Sequence, residues 1–186
     1  MEDKDLSDEY ELSAELFQLL VPFANWESDP HLQRTPERFC KMVQEVTTTE
    51  PFVFTKFESA SNEMVVVQDI PFYTFCAHHM LPFHGRAHVA YVPQGWICGL
   101  SKVARTVKMF ASDLNVQEEL TNNICEYLEA ELEPLGVGVV MQAEHLCMTM
   151  RGVQVPGTLT TTSAMRGCFL DPEKGARQEF LQLIAR

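Results

Sequence analysis

The order in which helical and strand-like patterns follow one another constrains the fold of this chain most strongly. Helical and strand patterns differ in the period of their apolar residues. The first predicted elements are a helix over residues 8–24, a helix with Thr35 at its N-cap, and strands over 63–70 and 86–92. They are followed by a helix capped by Ser101, a helix carrying Leu120 to Leu132, β-prone runs over 137–143 and 146–150, a strand over 158–163 and a C-terminal helix. Strands that come in pairs, with helices between the pairs, predict an α+β fold with antiparallel pairing. Residues 48–62 have little periodicity and predict a loop.

Composition narrows the class of protein. The 186 residues suit one domain with a small appendage, and the 46% that are hydrophobic are enough for a sizeable core. No apolar run approaches the roughly 20 residues of a membrane span, and the acidic first residues do not resemble a signal peptide. We therefore expect a cytoplasmic protein without a membrane partner. The formal net charge of -12 also argues against nucleic acid as a partner.

The acidic residues and the cysteines are distributed differently along the chain. Many acids lie at the start, where we expect a solvated, frayed terminus: Glu2, Asp3, Asp5, Asp8, Glu9 and Glu11. We divide the chain into an acidic N-terminal helical segment, residues 1–34, and a main domain, residues 35–186. The six cysteines are scattered through apolar patterns, so metal binding or burial is expected rather than a disulfide framework.

Two short runs carry residues that can bind a metal. Cys76, His78 and His79 lie together, and His145 and Cys147 return much later in the chain. Two thiolates and one imidazole suit Zn²⁺ and leave a fourth position open, as in catalytic zinc sites. If His145 and Cys147 lie on a strand, their side chains point to the same face. The spacing alone also allows a closed structural zinc site, or no metal.

Cations near predicted helix starts suggest an anion site. Lys102 and Arg105 belong to the helix that begins near Ser101, where free N–H groups and the helix dipole favour phosphate. Arg38 lies in the first turn of another helix, and Arg151 follows Cys147. Taken singly, each cation is as well explained as an ordinary surface residue. Glu118 and Glu119, at the start of the helix that carries Leu120 to Leu132, are explained by the helix dipole alone.

The ordered set of motifs resembles the GTP cyclohydrolase I family. The resemblance covers roughly residues 35–186 and is carried by these runs: Thr35-Pro36-Glu37-Arg38, Cys76-Ala77-His78-His79, Pro82-Phe83-His84-Gly85, Gly99-Leu100-Ser101-Lys102-Val103-Ala104-Arg105, Val116-Gln117-Glu118-Glu119-Leu120, His145-Leu146-Cys147-Met148 and Met150-Arg151-Gly152-Val153. The family usually has Glu where this chain has Ala77. Ala77 is not a ligand position, so metal binding is expected to survive the change.

The resemblance implies a fold and an assembly. The fold is the tunnelling fold, an antiparallel four-stranded sheet with two helices on one face, here preceded by N-terminal helices. Five subunits would close an oligomeric β-barrel, and two such rings would stack into a homo-oligomeric decamer with active sites at subunit interfaces.

The resemblance also implies a reaction and a set of site residues. The reaction converts GTP and water to 7,8-dihydroneopterin triphosphate and formate. The zinc ligands would be Cys76, His79 and Cys147. The catalytic residues would be His78, His145 and Ser101. The substrate-binding residues would be Glu118, with Gln117 nearby, for guanine, and Lys102, Arg105, Arg151 and Arg38 around the triphosphate and ribose.

Two other functions are compatible with parts of this pattern. One is a different tunnelling-fold enzyme that acts on a pterin or deazapurine, such as a nitrile reductase with a nucleophilic cysteine and a nicotinamide cofactor. The other is a catalytically silent zinc-binding oligomer that serves as an interaction module. Retention of Glu118, Lys102, His78 and His145 argues against the silent module, because a scaffold needs none of them.

Overall fold

A computed structural model describes residues 7–26 and 28–185, which form two compact units divided between Thr48 and Thr49. The first unit holds α1 (Ser7–Leu20) and α2 (Thr35–Thr47). The Phe17 ring joins them, with edge-to-face contacts to Trp26 at 5.6 Å and to Phe39 at 5.3 Å. The acidic residues Glu2, Asp3 and Asp5 lie outside the described residues.

The start of α2 differs by one residue from the prediction. Arg34, rather than Thr35, occupies the N-cap position, and Pro36 follows in the first turn. Glu37 accepts hydrogen bonds from Arg34 and Lys41, which lower the pKa of its carboxyl to about 2. The predicted boundary between residues 34 and 35 therefore falls at the start of α2, inside the first unit.

The second unit contains the main sheet and its helices. Its elements are β1 (Lys56–Glu58), β2 (Val65–Cys76), β3 (Pro82–Val92), β4 (Trp96–Cys98), α3 (Leu100–Ala111), β5 (Leu114–Asn115), α4 (Gln117–Leu132), β6 (Gly136–His145), α5 (Leu146–Thr149), β7 (Leu159–Gly167) and α6 (Ala176–Ile184). Among the described residues, no helix is both long enough and apolar enough to cross a membrane.

Four long strands form the antiparallel sheet that was predicted, in the order β2-β3-β6-β7. The short β5 extends it as a parallel neighbour of β2, through the pair Cys76 and Asn115. A separate small sheet pairs β1 with β4, so part of the predicted loop 48–62 is a strand. The β2–β3 pair is a hairpin whose connecting turn carries the predicted metal ligands.

Side chains alternate between the two faces of the sheet, as the period of a strand requires. Helices α3 and α4 cover one face, where Val89 of β3 and Val139 of β6 join the larger core. The next residues, Ala90 and Val140, point to the other face and join a smaller core with α6. A Cβ at Gly138 would lie 3.0 Å from the rings of Phe169 and Phe180, so glycine lets this helix approach closely.

Two further local predictions in this unit were wrong. Residues 146–150 were expected to form a strand, but β6 ends at His145 and Leu146–Thr149 is a short helix. The expected common strand face of His145 and Cys147 therefore does not exist. Ser101 was expected to cap α3, but Gly99 holds the N-cap position and Ser101 lies inside the first turn.

Candidate active site

The turn between β2 and β3 brings two of the predicted ligands together. Cys76 ends β2, and its carbonyl accepts hydrogen bonds from the amides of His79 at 3.2 Å and Met80 at 2.8 Å. Met80 adopts a positive φ of 51°, which closes the turn. The Nδ1 atom of His79 lies 3.8 Å from the sulfur of Cys76 as a result.

The third predicted ligand, Cys147, follows strand β6, the neighbour of β3 in the sheet. Strand β6 pairs with β3 so that His145 lies opposite Phe83, and the chain then turns into α5, which carries Cys147. The ligand atoms of Cys76, His79 and Cys147 all lie within 4.8 Å of one another. This grouping of two sulfurs and one ring nitrogen could hold a metal ion.

Without a bound metal ion, the surroundings of the cluster favour a protonated Cys147 thiol. Burial raises the pKa of the Cys147 thiol, and the neighbouring Cys76 sulfur raises it further. Two close thiols cannot both ionise easily without a positive charge, and a metal ion supplies that charge. The donor set of two thiolates and one imidazole matches the preferences of zinc.

Two more histidines flank the cluster. His78 is exposed, and its Nδ1 atom lies 3.8 Å from the Cys76 sulfur. His145 stacks on Phe83, with ring centroids 4.3 Å apart and planes 8° from parallel. Burial lowers the pKa of His145, and the negative charge of Glu118, in the first turn of α4, opposes this shift. His78 thus lies beside the predicted ligand Cys76, and His145 lies two residues before Cys147.

Gln117, predicted to lie near the guanine, is held by the protein itself, and its contact with a substrate stays a prediction. Its side chain is buried, and its Oε1 atom lies 2.6 Å from Nε2 of His145. Its amide nitrogen lies within hydrogen-bond distance of three oxygens on β6 and β7: Met141 O, Thr160 O and Thr162 Oγ1. Gln117 is therefore built into the protein next to His145.

The predicted anion-binding residues of α3 lie at the other end of that helix. The last residue of α3, Ala111, is close to β5, which pairs with Cys76. Ser101 is ten residues earlier, about 15 Å along the helix axis. Ser101 and Arg105 are exposed, and the ammonium group of Lys102 donates a 2.7 Å hydrogen bond to the carbonyl of Val53.

The two remaining residues predicted to bind the substrate, Arg151 and Arg38, do not belong to α3. Arg151 is exposed, four residues after Cys147, and its positive charge offsets a small part of the rise in the Cys147 pKa that burial and Cys76 cause. Arg38 lies on α2 in the first unit. The contact of Arg38 with a substrate stays a prediction.

Asn115 supports the turn that carries Cys76 and His79, and no motif in the sequence predicted this role. Its side-chain amide donates 2.9 Å hydrogen bonds to Thr74 Oγ1 and to the carbonyl of Phe110. Its own carbonyl accepts the amide of Ala77 at 3.0 Å. The only signal in the sequence is an Asn between two helical patterns, which is more often a simple turn residue.

Comparisons with known proteins agree with these features. The family model described as GTP cyclohydrolase I matches residues 12–185. The protein named GTP cyclohydrolase 1 from Aquifex aeolicus is 54% identical over 155 residues, covering 82% of this chain and 84% of the relative. Its counterpart from Hydrogenobaculum sp. is 52% identical over 155 residues, covering 82% and 85%. The counterpart from Mycolicibacterium vanbaalenii is 43% identical over 186 residues, covering 96% and 92%.

A more distant likeness is to the crystal structure of the archaeosine synthase QueF-Like in the apo form. It has a TM-score of 0.49 and 18% identity, over 57% of this chain and 96% of that one. The four antiparallel strands with α3 and α4 on one face have the arrangement expected of the tunnelling fold. By the match to the family model and by identity to its curated members, this chain belongs to the GTP cyclohydrolase I family.

Proposed function

We propose that the protein is a zinc-dependent hydrolase that converts GTP and water to 7,8-dihydroneopterin triphosphate and formate. The observation that carries the proposal is the grouping of Cys76, His79 and Cys147, with His145 alongside, in a member of this family. Neither a closed structural site nor a silent scaffold explains why more histidines stand beside the three ligands. The free thiols of this chain also suit the cytoplasm as its compartment.

The metal and the two histidines would have separate tasks. Bound by Cys76, His79 and Cys147, zinc would act as a Lewis acid and lower the pKa of a water toward 7. His78, exposed next to the ligand His79, would donate a proton as the imidazole ring of the guanine opens. His145, whose neutral form is favoured by burial, would be a second group that exchanges protons with the substrate.

The two ends of the GTP molecule would be bound by side chains of opposite charge, the guanine by a carboxylate and the triphosphate by cations. The carboxylate of Glu118 can accept two N–H hydrogen bonds from the edge of a guanine, and it already lies near His145. Lys102, Arg105, Arg151 and Arg38 would bind the triphosphate. The ammonium of Lys102, now bonded to Val53 O and 5.6 Å from the centre of the Phe52 ring, would exchange these contacts for phosphate oxygens. Ser101 would assist the later rearrangement of the sugar.

The separation along α3 supports a site shared between subunits. Within one subunit, Ser101 and Lys102 lie about 15 Å along the helix from the end that adjoins Cys76. A neighbouring subunit could bring its own α3 start to this cluster. We therefore propose a homo-oligomer, a decamer of two pentamers, in which the open edge of β7 pairs with a neighbour.

The test is incubation of the zinc-loaded protein with GTP, following formate and, after oxidation, a fluorescent pterin. Formate and pterin in equal amounts are the expected result, and their joint absence would refute the proposal. Nicotinamide oxidation with a deazapurine nitrile would instead indicate the reductase. A folded, metal-bound oligomer inactive in both assays would indicate the interaction module.

Mixing two inactive variants tests the shared site. Cys147→Ser lacks a metal ligand, and Lys102→Ala lacks a phosphate-binding cation. Oligomers co-assembled from both should regain a measurable part of the wild-type turnover, because some interfaces combine an intact α3 start with an intact cluster. No recovery in verified mixed oligomers would place both residues in the same subunit's site.

A further inference from the structure

We propose that Gln117 is a positioning residue that holds His145 as the tautomer protonated on Nε2, so that Nδ1 is the nitrogen available for proton exchange. The tautomer follows from hydrogen-bond geometry alone. The catalytic use of Nδ1 rests on the proposed function. This role adds to the place near the guanine that the family resemblance implies for Gln117.

The orientation of the Gln117 amide comes first. One end of the amide faces the carbonyl oxygens of Met141 at 3.3 Å and Thr160 at 3.1 Å. Backbone carbonyls can only accept hydrogen bonds, so this end must be the NH₂ group. An amide turned the other way would set its oxygen against two carbonyl oxygens in a site that is 2% exposed. The end facing His145 is therefore the oxygen.

The orientation of the amide then fixes the protons of the imidazole. The Oε1 atom of Gln117 lies 2.6 Å from His145 Nε2 and can only accept. Nε2 must therefore carry a hydrogen. In the neutral ring only one nitrogen is protonated, so Nδ1 has a free lone pair.

The hydrogen bonds of two threonine hydroxyls agree with this orientation of the amide, which the two backbone carbonyls fix. Thr121 Oγ1 lies 2.7 Å from the backbone carbonyl of Gln117 and donates to it. Thr162 Oγ1, 2.6 Å away, must then donate to Thr121, because the single hydrogen of Thr121 is already used. Thr162 is left as an acceptor for the Gln117 NH₂ group at 3.1 Å. Each of these hydrogen bonds therefore has only one possible donor, and each assignment agrees with the orientation of the Gln117 amide given above.

The other ring nitrogen remains open. Within the described part of the chain, Nδ1 of His145 has no hydrogen-bond partner. Every fully buried side-chain nitrogen or oxygen atom in that part of the chain does have one. Nδ1 therefore reaches solvent, where a substrate could meet it. The protonated ring keeps the same bond to Gln117, since Nε2–H is present in both charge states. Gln117 thus allows protons to move at Nδ1 and opposes movement at Nε2.

The direct test is the tautomer itself, measured without any turnover. Protein labelled with ¹⁵N-histidine would be studied by long-range ¹⁵N–¹H correlation, apo and zinc-loaded, above the pH at which the ring is charged. A His145→Gln variant assigns the resonances. We expect a protonated Nε2 and an unprotonated Nδ1. A ring protonated on Nδ1, or an even mixture of tautomers, would overturn the proposal whether or not the protein hydrolyses GTP.

A variant pair separates positioning from substrate binding. Gln117→Met keeps the length of the side chain and removes both ends of the amide. We expect mixed tautomers and kcat lower by about 10- to 100-fold, with KM for GTP within about threefold. A large rise in KM with kcat unchanged would instead support guanine contact.

The matched control is Thr162→Val. It removes one acceptor and leaves both carbonyls that orient the amide, so the Nε2–H tautomer should persist. If Gln117→Met does not fold, the wild-type and Thr162→Val spectra still decide the question. A changed tautomer in Thr162→Val would show that the two carbonyls do not fix the amide.

Discussion

The backbone carbonyl of Asn115 accepts the amide of Ala77 at 3.0 Å, within the turn that holds Cys76 and His79. The side chain of the same asparagine bonds to Thr74 on β2 and to the end of α3. One residue thus joins the helix, the strand and the metal-binding turn. The position of two ligands depends on how α3 ends, although α3 itself provides no ligand.

Replacing Asn115 with Ala should weaken metal binding. The turn would lose the side-chain bonds that fix its neighbour on β5, and loss of such supporting bonds costs roughly 10- to 100-fold in metal affinity. Competition with a chromophoric chelator measures this directly. Ser112→Ala is the control, because its hydroxyl only bonds back to Lys108 O at the exposed end of α3. Equal affinities in both variants would contradict the role of Asn115.

His78 and Cys147 should respond differently to substitution. His78→Ala should retain zinc and lower turnover by about 100-fold or more, because it removes a proton donor and leaves the three ligands in place. Cys147→Ser should lose zinc and activity together. Metal analysis after gel filtration, alongside the formate assay, distinguishes these outcomes. Loss of zinc from His78→Ala would mean that His78 is a ligand.

Gly85 should tolerate no side chain. A Cβ there would lie 1.8 Å from the carbonyl oxygen of Gln142, so Ala would force β3 and β6 apart beside the site. We expect Gly85→Ala to lower the free energy of unfolding by more than about 3 kcal/mol. Gly99→Ala is the control, because its Cβ would meet nothing closer than 3.9 Å. Urea denaturation of both variants checks this, and similar midpoints would be inconsistent with the clash.

Tyr91 should stabilise the fold through its neutral hydroxyl. Burial raises the pKa of Tyr91 from 10.0 to about 12, and the hydroxyl accepts the amide of Cys98 at 3.3 Å. At neutral pH, Tyr91→Phe should cost about 1–3 kcal/mol, since it leaves that amide without its acceptor.

The pH dependence of that cost follows from the direction of the shift. The folded state disfavours the phenolate, so the contribution is fully present below pH 10 and is lost as the pH rises toward 12. The difference in unfolding free energy between wild type and Tyr91→Phe should therefore shrink above about pH 10. Tyr73→Phe, at an exposed position, is the control for general alkaline effects. A difference that grows with pH would contradict the assignment.

Periodicity predicted most of the architecture, and it failed where the chain changes direction. The run 146–150 has β-prone residues, yet it follows the last residue of β6 and coils into α5. Its apolar composition could not distinguish a strand from one helical turn. The grouping of Cys76, His79 and Cys147 was nevertheless predicted, because their residue types and the motif around them do not depend on that local conformation.

The supporting residues could not be predicted because their partners are distant backbone atoms. The side chain of Gln117 donates hydrogen bonds to the carbonyls of Met141 and Thr160, and backbone acceptors of this kind cannot be recognised from residue types. Lys102 was expected to be free for phosphate, but it bonds to the carbonyl of Val53. Such contacts depend on the assembled sheet and loops, which only the structure provides.

The metal cluster also links parts of the chain that are far apart in sequence. Cys76 and His79 lie in the β2–β3 turn, whereas Cys147 follows β6 after two intervening helices. An ion held by all three would act as a removable crosslink around a loop of about seventy residues, which by chain entropy stabilises a fold by about 4 kcal/mol. A cell short of the metal would then hold two populations of this protein, and the fraction without metal would be the one exposed to proteolysis.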